Sequence, residues 1–197
     1  MKSLVVATFN PHKLREFRVL CKPLAIRVLS LEAFPRLKPP REGGKTFREN
    51  AVKKACEIAR KTGIPALADD SGICVPILGG EPGVQSARYS GKRKSDQANN
   101  LKLLKKLEKF PDAKRKAYYQ CAIAVAAPDR LIGVCEGKVY GRILREFRGK
   151  GGFGYDPLFY YPRFRKTFAE ISLPLKNKVS HRARALKKAL QLLRKLN

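Results

Sequence analysis

Residues 116–144 hold two long apolar stretches, "KAYYQCAIAVAAP" and "RLIGVCEGKVYGRIL", joined by a turn at Pro128-Asp129. Tyrosine, valine and isoleucine in both favour extended chain, and so short a connection can only join antiparallel strands. The first half of the chain reads differently. "SLVVATF" is a buried strand, "PHKLREFRVLCKPL" a helix with Pro11 in its first turn, and "IRVLSLEAF" a second strand. After the Pro/Gly loop "PRLKPPREGGK" comes a long helix from Thr46 to about Lys61, with Thr46 and Glu49 at capping-box spacing. Strands that alternate with helices early and pair as hairpins later predict an α/β fold with a mixed sheet.

The remaining elements fit that frame. "IPALADDSGICVPILGG" reads as a strand, a bend marked by Gly72 and a return strand, and residues 80–93 as a loop. "SDQANNLKLLKKLEKF" is an amphipathic helix capped by Ser95 or Asp96. "LFYY" is a short strand, and a last helix runs from about Lys178 to Leu196. At 197 residues the chain forms one domain, or two lobes sharing a core. No stretch approaches the ~20 apolar residues of a membrane span. The N-terminus lacks the features of a secretory signal, so a cytoplasmic location is expected. The five cysteines contain no C-x-x-C pair and read as reduced, mostly buried thiols.

A net charge of +27 predicts attraction to polyanions. The basic residues are spread along the chain, however, and the clusters at 92–94, 114–116 and 163–166 read as solvated loops. No aromatic–basic module marks a nucleic-acid binder, so the rival reading of a specific nucleic-acid partner is set aside. Against this basic background the sixteen carboxylates are informative, because Asp69 and Asp70 are adjacent.

Four segments could carry chemistry. "GKGGFGYDP" matches G-x-G-x-x-G at Gly149, Gly151 and Gly154, but Pro157 and the following aromatics exclude the helix a dinucleotide site requires. It is a glycine loop presenting Phe153, Tyr155 and Asp156. "ATFNPHK" runs from a strand into a helix. It is either an anion site built from Thr8, Asn10, Lys13 and helix N–H groups, or an ordinary turn capped by Asn10. In "ALADDSGICV" the two aspartates point to opposite faces if the strand is regular, so they cannot chelate one ion side by side. One of them would hold a hard ion such as Mg²⁺, or a water, while neighbours orient the other. "SHRARAL" brings Ser180, His181 and Arg182 to a helix start. Zinc and G-x-S-x-G signatures are both absent.

Taken in order, "ATFNPHKLREF", "TFRENAVKKA", "ALADDSGICV", "LGGEPGVQSARYSG", "GKGGFGYDPLF", "KTFAEIS" and "SHRARAL" resemble the inosine triphosphate pyrophosphatases, which remove non-standard nucleotides. The resemblance runs nearly end to end. It implies two lobes around a long mixed β-sheet flanked by helices, an active-site cleft between the lobes, and a homodimer. It implies Mg²⁺-dependent hydrolysis (Mn²⁺ substituting) between the α and β phosphates of inosine and xanthosine triphosphates. By position, Thr8, Phe9, Asn10, Pro11, His12 and Lys13 would hold phosphates. Asp70 would be the general base or metal carboxylate, with Asp69 and Glu42 supporting the metal. Ser71 would contact substrate; Phe153, Gly154, Tyr155 and Asp156 would form the base pocket; Lys176, His181 and Arg182 would complete the contacts. The chain departs from the family at Phe9, where glycine is common, and at Pro174 and Leu175, where acidic residues are common.

Overall fold

The computed structural model describes residues 3–37, 40, 43–91 and 95–194. Glu42, the basic cluster at 92–94 and the expected helix end at Leu196 lie outside the described residues. Seven strands form a mixed sheet: β1 (Ser3–Val6), β2 (Arg27–Ser30), β3 (Ala66–Cys74), β4 (Lys116–Ala126), β5 (Leu131–Ile143), β6 (Phe159–Tyr161) and β7 (Lys166–Thr167). Their order is β2-β1-β3-β4-β5-β6-β7. β1 runs parallel to both β2 and β3, whereas β6 is antiparallel to β5 and to β7. The helices are α1 (Pro11–Cys21), α2 (Phe47–Thr62), α3 (Asp96–Leu107), α4 (Leu173–Val179) and α5 (His181–Arg194).

The chain divides into two compact units. The first comprises Met1–Asp70, Cys121–Gly137 and Arg182–Asn197; the second comprises Ser71–Gln120 and Lys138–His181. Each has its own apolar core. In the first, Leu4, Val6, Phe17, Leu67, Ile123, Val125 and Leu186 pack together. In the second, Ile73, Leu103, Leu107, Tyr119, Tyr155, Phe159 and Phe168 do so. Such cores form because each helix or strand has an apolar face that is costly to leave in water.

Helix boundaries follow the capping chemistry. Asn10 caps α1 and is followed by Pro11 at N1; Thr46 caps α2 through the Glu49 N–H; Ser95 caps α3 through the Ala98 N–H. Glu49 returns the bond by accepting from the Lys45 N–H at 2.9 Å. Gly63, left-handed at φ 67°, ends α2.

Three expectations are corrected. No return strand follows β3: Pro76–Leu78 form a 3-10 turn, and β3 passes straight through Gly72. Gly72 is needed for close approach, since a Cβ there would sit 2.3 Å from Ser86 Oγ and 2.6 Å from the Gly83 carbonyl. The last helix is two helices, because Ser180 is extended at φ −65°, ψ 161° and so stops α4 at Val179. Finally, Arg115 is not a solvated loop residue. It is 1% exposed, and its guanidinium donates to the carbonyls of Leu107, Ile143 and Leu144 at 2.7–2.9 Å.

Candidate active site

The turn after β1 begins in buried chain and ends in the first turn of α1. Thr8 Oγ1 accepts from the Asn10 N–H at 3.1 Å, and Asn10 Oδ1 accepts from the N–H groups of His12 and Lys13 at 2.9 and 3.2 Å. The Asn10 cap is formed, and the turn's own side chain occupies two helix N–H groups. Phe9 and His12 are exposed, Phe9 by 54%. Lys13 turns its ammonium to Asp69 Oδ2 at 3.0 Å.

Asp69 and Asp70 occupy consecutive positions of β3 and face different helices, as strand alternation requires. Asp69 is 2% exposed, and its Oδ2 accepts from Arg182 Nε at 3.2 Å as well as from Lys13. Arg182, itself 1% exposed, also donates through Nη1 to Glu16 Oε2 of α1. Burial raises the Asp69 pKa, but the Lys13, Arg182 and Lys54 charges outweigh it and hold the carboxyl below the usual range. Burial acts against the Arg182 charge too, and the Asp69 and Glu16 carboxylates reverse that, raising its pKa. Asp70 looks toward α2. Its Oδ2 accepts from Asn50 Nδ2 at 2.9 Å and its Oδ1 from Lys54 Nζ at 3.3 Å. Asn50 is fixed in turn by the Gly44 N–H, which donates to its Oδ1 at 2.8 Å.

Glu16, Asn50 and Lys54 are absent from the sequence-based assignment. Two of them carried a signal. Phe47, Asn50, Ala51, Lys54, Ala55 and Ile58 form the buried stripe of α2, so an amide and an ammonium occupy positions of its apolar face. Glu16, one residue before fully buried Phe17, shows no such anomaly until the helix is placed.

In the second unit the glycine loop folds around Asp156. Its Oδ2 accepts from the Phe153 N–H at 2.9 Å and from Lys176 Nζ at 2.6 Å, and its Oδ1 from the Tyr119 hydroxyl at 3.3 Å. Gly152, at φ 73°, leaves room for this carboxylate, since a Cβ there would sit 2.2 Å from Asp156 Oδ2. Asp156 therefore holds the loop together. The Lys176 ammonium lies 4.4 Å from the centroid of the Phe153 ring, within cation–π range. The His181 ring stacks on Tyr119 at 4.6 Å and 9°. Burial, with help from Asp156, raises the Tyr119 pKa, so this hydroxyl stays a donor. The Tyr155 hydroxyl donates to the Ser86 carbonyl at 2.8 Å. Ser71 is half-buried on β3.

The structure thus gathers Lys13, Asp69, Asp70 and Arg182 in the first unit, and Phe153, Gly154, Tyr155, Asp156, Lys176 and His181 in the second. Among the described residues no group of three or more His, Cys, Asp or Glu side chains could hold a metal ion. Asp70 supplies a hard oxygen ligand, and Mg²⁺ characteristically takes one or two carboxylates and leaves its other positions to phosphate and water. Asp70 fits that pattern. Asp69 is engaged by two cations, which an incoming ion would have to displace.

A family model described as the Ham1 family matches residues 4–192. A dITP/XTP pyrophosphatase of Desulforamulus reducens is 50% identical over 98% of this chain and 96% of its own. One of Geobacter sulfurreducens is 52% identical over 94% of each. Among solved structures, a HAM1 protein from Coxiella burnetii superposes with a TM-score of 0.90 at 40% identity, covering 99% of this chain and 100% of that one. The Staphylococcus aureus Ham1 protein gives 0.87 at 38% identity, covering both chains fully. With two buried aspartates on one strand, a glycine loop built around a third, and a match over almost its entire length, the chain belongs to the Ham1 family.

Proposed function

We propose that the protein hydrolyses non-standard purine nucleoside triphosphates (ITP, dITP and XTP) to the monophosphate and pyrophosphate. One observation carries the chemistry: Lys13 and Arg182 both pair with Asp69 Oδ2, while its neighbour Asp70 meets the Asn50 amide and the Lys54 ammonium. Asp70 is the carboxylate that accepts a proton from the attacking water in this reading. That water forms the new bond to the α-phosphorus, and the bond from the α-phosphorus to the bridging oxygen breaks, releasing pyrophosphate. The relatives at about 50% identity, named dITP/XTP pyrophosphatases, support the substrate class.

The charge balance supports a metal. Lys13, Lys54 and Arg182 stand against Glu16, Asp69 and Asp70, so this cluster holds no surplus positive charge for a triphosphate. Mg²⁺, or Mn²⁺, would be held by Asp70 and by the substrate's own phosphates, with Asp69 and Glu42 as the supporting carboxylates of the family pattern. It would supply that missing charge at the phosphorus. Thr8, Lys13 and the turn from Phe9 to His12 would contact phosphate, and Ser71 would add a hydroxyl.

The purine is read by the glycine loop and by residues at the α4–α5 junction. Phe153 offers a ring face, and Lys176, His181 and Arg182 are the donors suited to a 6-oxo group. Adenine would set its 6-amino donor against these donors, whereas guanine keeps the 6-oxo group and is excluded only through its 2-amino group. The expected order of catalytic efficiency is ITP or XTP, then GTP, then ATP, with 2′-deoxy forms accepted equally. A homodimeric, cytoplasmic enzyme without a specific nucleic-acid partner completes this reading. A triphosphate panel with pyrophosphate release as readout, with and without a chelator, tests it. Equal turnover of ATP, orthophosphate as first product, or full activity in chelator would overturn it.

A further inference from the structure

The glycine loop is held from outside as well as by its own Asp156. Gly154 is left-handed at φ 64°, and both polar groups of its backbone are gripped by one helix. Its N–H donates to Asp96 Oδ2 at 2.6 Å, and its carbonyl accepts from Asn100 Nδ2 at 2.7 Å. Asp96 and Asn100 lie one turn apart on α3, so they share a face. They are also tied to each other, because Asn100 Nδ2 donates its second hydrogen to the Asp96 carbonyl at 2.7 Å. Asp96 is available for this because Ser95, not Asp96, caps the helix. The Asn100 amide is oriented without ambiguity, since both of its Nδ2 partners are carbonyl oxygens.

We infer that Asp96 and Asn100 are positioning residues for purine recognition: they clamp the Gly154 peptide and thereby fix Phe153 against Lys176 in the orientation that meets the base. The Phe153 N–H is held by Asp156 at 2.9 Å, and the next residue by Asp96 and Asn100, so Phe153 is anchored on both sides. Both clamp residues belong to the second unit, whereas the phosphate-side Lys13, Asp69 and Asp70 belong to the first. Loss of the clamp therefore weakens what the enzyme gains from the base and spares what it gains from the phosphates. A general lesion weakens both. The inference rests on the reading that Phe153 stacks on the purine.

The test compares kcat/KM for ITP with kcat/KM for ribose 5-triphosphate, which has the phosphates and sugar but no base. The variants are Asp96→Ala, Asp96→Asn, Asn100→Leu and Phe153→Ala. Asp96→Ala removes the acceptor, whereas Asp96→Asn keeps a carbonyl oxygen able to take the Gly154 N–H. The expected result is a fall of roughly ten-fold or more in the ITP to ribose-triphosphate ratio for Asp96→Ala and Asn100→Leu. The fall should appear mainly in KM, and Asp96→Asn should retain most of the ratio. An unchanged ratio in Asp96→Ala, alongside a fall in Phe153→Ala, overturns the clamp and leaves the purine reading standing. A flat response in Phe153→Ala overturns the purine reading and the clamp with it. Asp96 is exposed, so its two variants decide the matter even if Asn100→Leu fails to fold.

Discussion

Both units bury an aspartate against a lysine, and the two pairs teach different things. In the first unit Asp69 holds Lys13 and Arg182, and Arg182 is shared with Glu16, so the charges interlock along β3, α1 and α5. In the second unit Asp156 holds the Lys176 ammonium, and also accepts from the Phe153 N–H and the Tyr119 hydroxyl. A carboxylate facing two cations is pinned as an anion and is a poor proton acceptor. One that faces a cation, a backbone N–H and a hydroxyl organises a loop. Asp70 resembles Asp156 in facing one ammonium, that of Lys54, beside a neutral donor, the Asn50 amide.

The largest expected effect separates the two neighbours on β3. Asp70→Asn should lower turnover by ~10²–10⁴-fold, because the amide cannot take a proton or neutralise a metal. The variant should fold, with a lowered unfolding midpoint, because the amide leaves the buried Lys54 ammonium without its carboxylate. Near-normal pyrophosphate release from the folded variant would remove Asp70 from the chemistry.

Asp69→Asn should cost more stability, ~3–5 kcal/mol, because it strands two cations, Lys13 and the buried Arg182. Urea unfolding monitored by circular dichroism measures this. The same carboxylate gives an acid-side signature. Its folded pKa lies below its ordinary value of 3.8, so its stabilisation is present above about pH 4 and is lost as pH falls below that. A variant whose stability falls between pH 4 and pH 2 as steeply as that of the unmutated protein would contradict the assignment.

Asp156→Asn should cost less, ~3 kcal/mol or below, since one cation is stranded and Phe153 still shields it. The amide oxygen can still accept from the Phe153 N–H. The loop should therefore survive, with KM for ITP rising more than kcat falls. An effect on stability larger than that of Asp69→Asn would overturn the contrast between the units.

The smallest effect lies in the core of the first unit. Burial pushes the Cys21 thiol up from 9.0 to about 11, so above pH 9 the unfolded chain releases a proton that the folded chain keeps. Stability should fall between pH 9 and pH 11 by ~1 kcal/mol per pH unit from this group. Burial raises Cys56, Cys74, Cys121 and Cys135 as well, so Cys21→Ala should flatten the alkaline slope only in part. A slope identical in that variant would show that Cys21 does not carry its share.

What the sequence determined by itself was whatever is local. Thr46, Ser95 and Asn10 cap their helices because a cap needs only a short polar side chain and the next turn's N–H groups. The β4–β5 hairpin, the exclusion of a dinucleotide turn at Gly154 and the opposed faces of Asp69 and Asp70 follow from backbone geometry a few residues long. The ordered motifs carried the family. Local rules misjudged Gly72, which reads as a bend but is required by Ser86, and Arg115, which reads as solvated but is gripped by three distant carbonyls. Which charges balance which was decided only in three dimensions. The partners of Asp69 come from α1 and α5, Asp70 meets α2, and the Gly154 peptide meets α3. A buried charge takes its properties from whatever reaches within ~4 Å of it, and residues 113 positions apart in the chain, such as Asp69 and Arg182, reach that distance only when the fold brings them there.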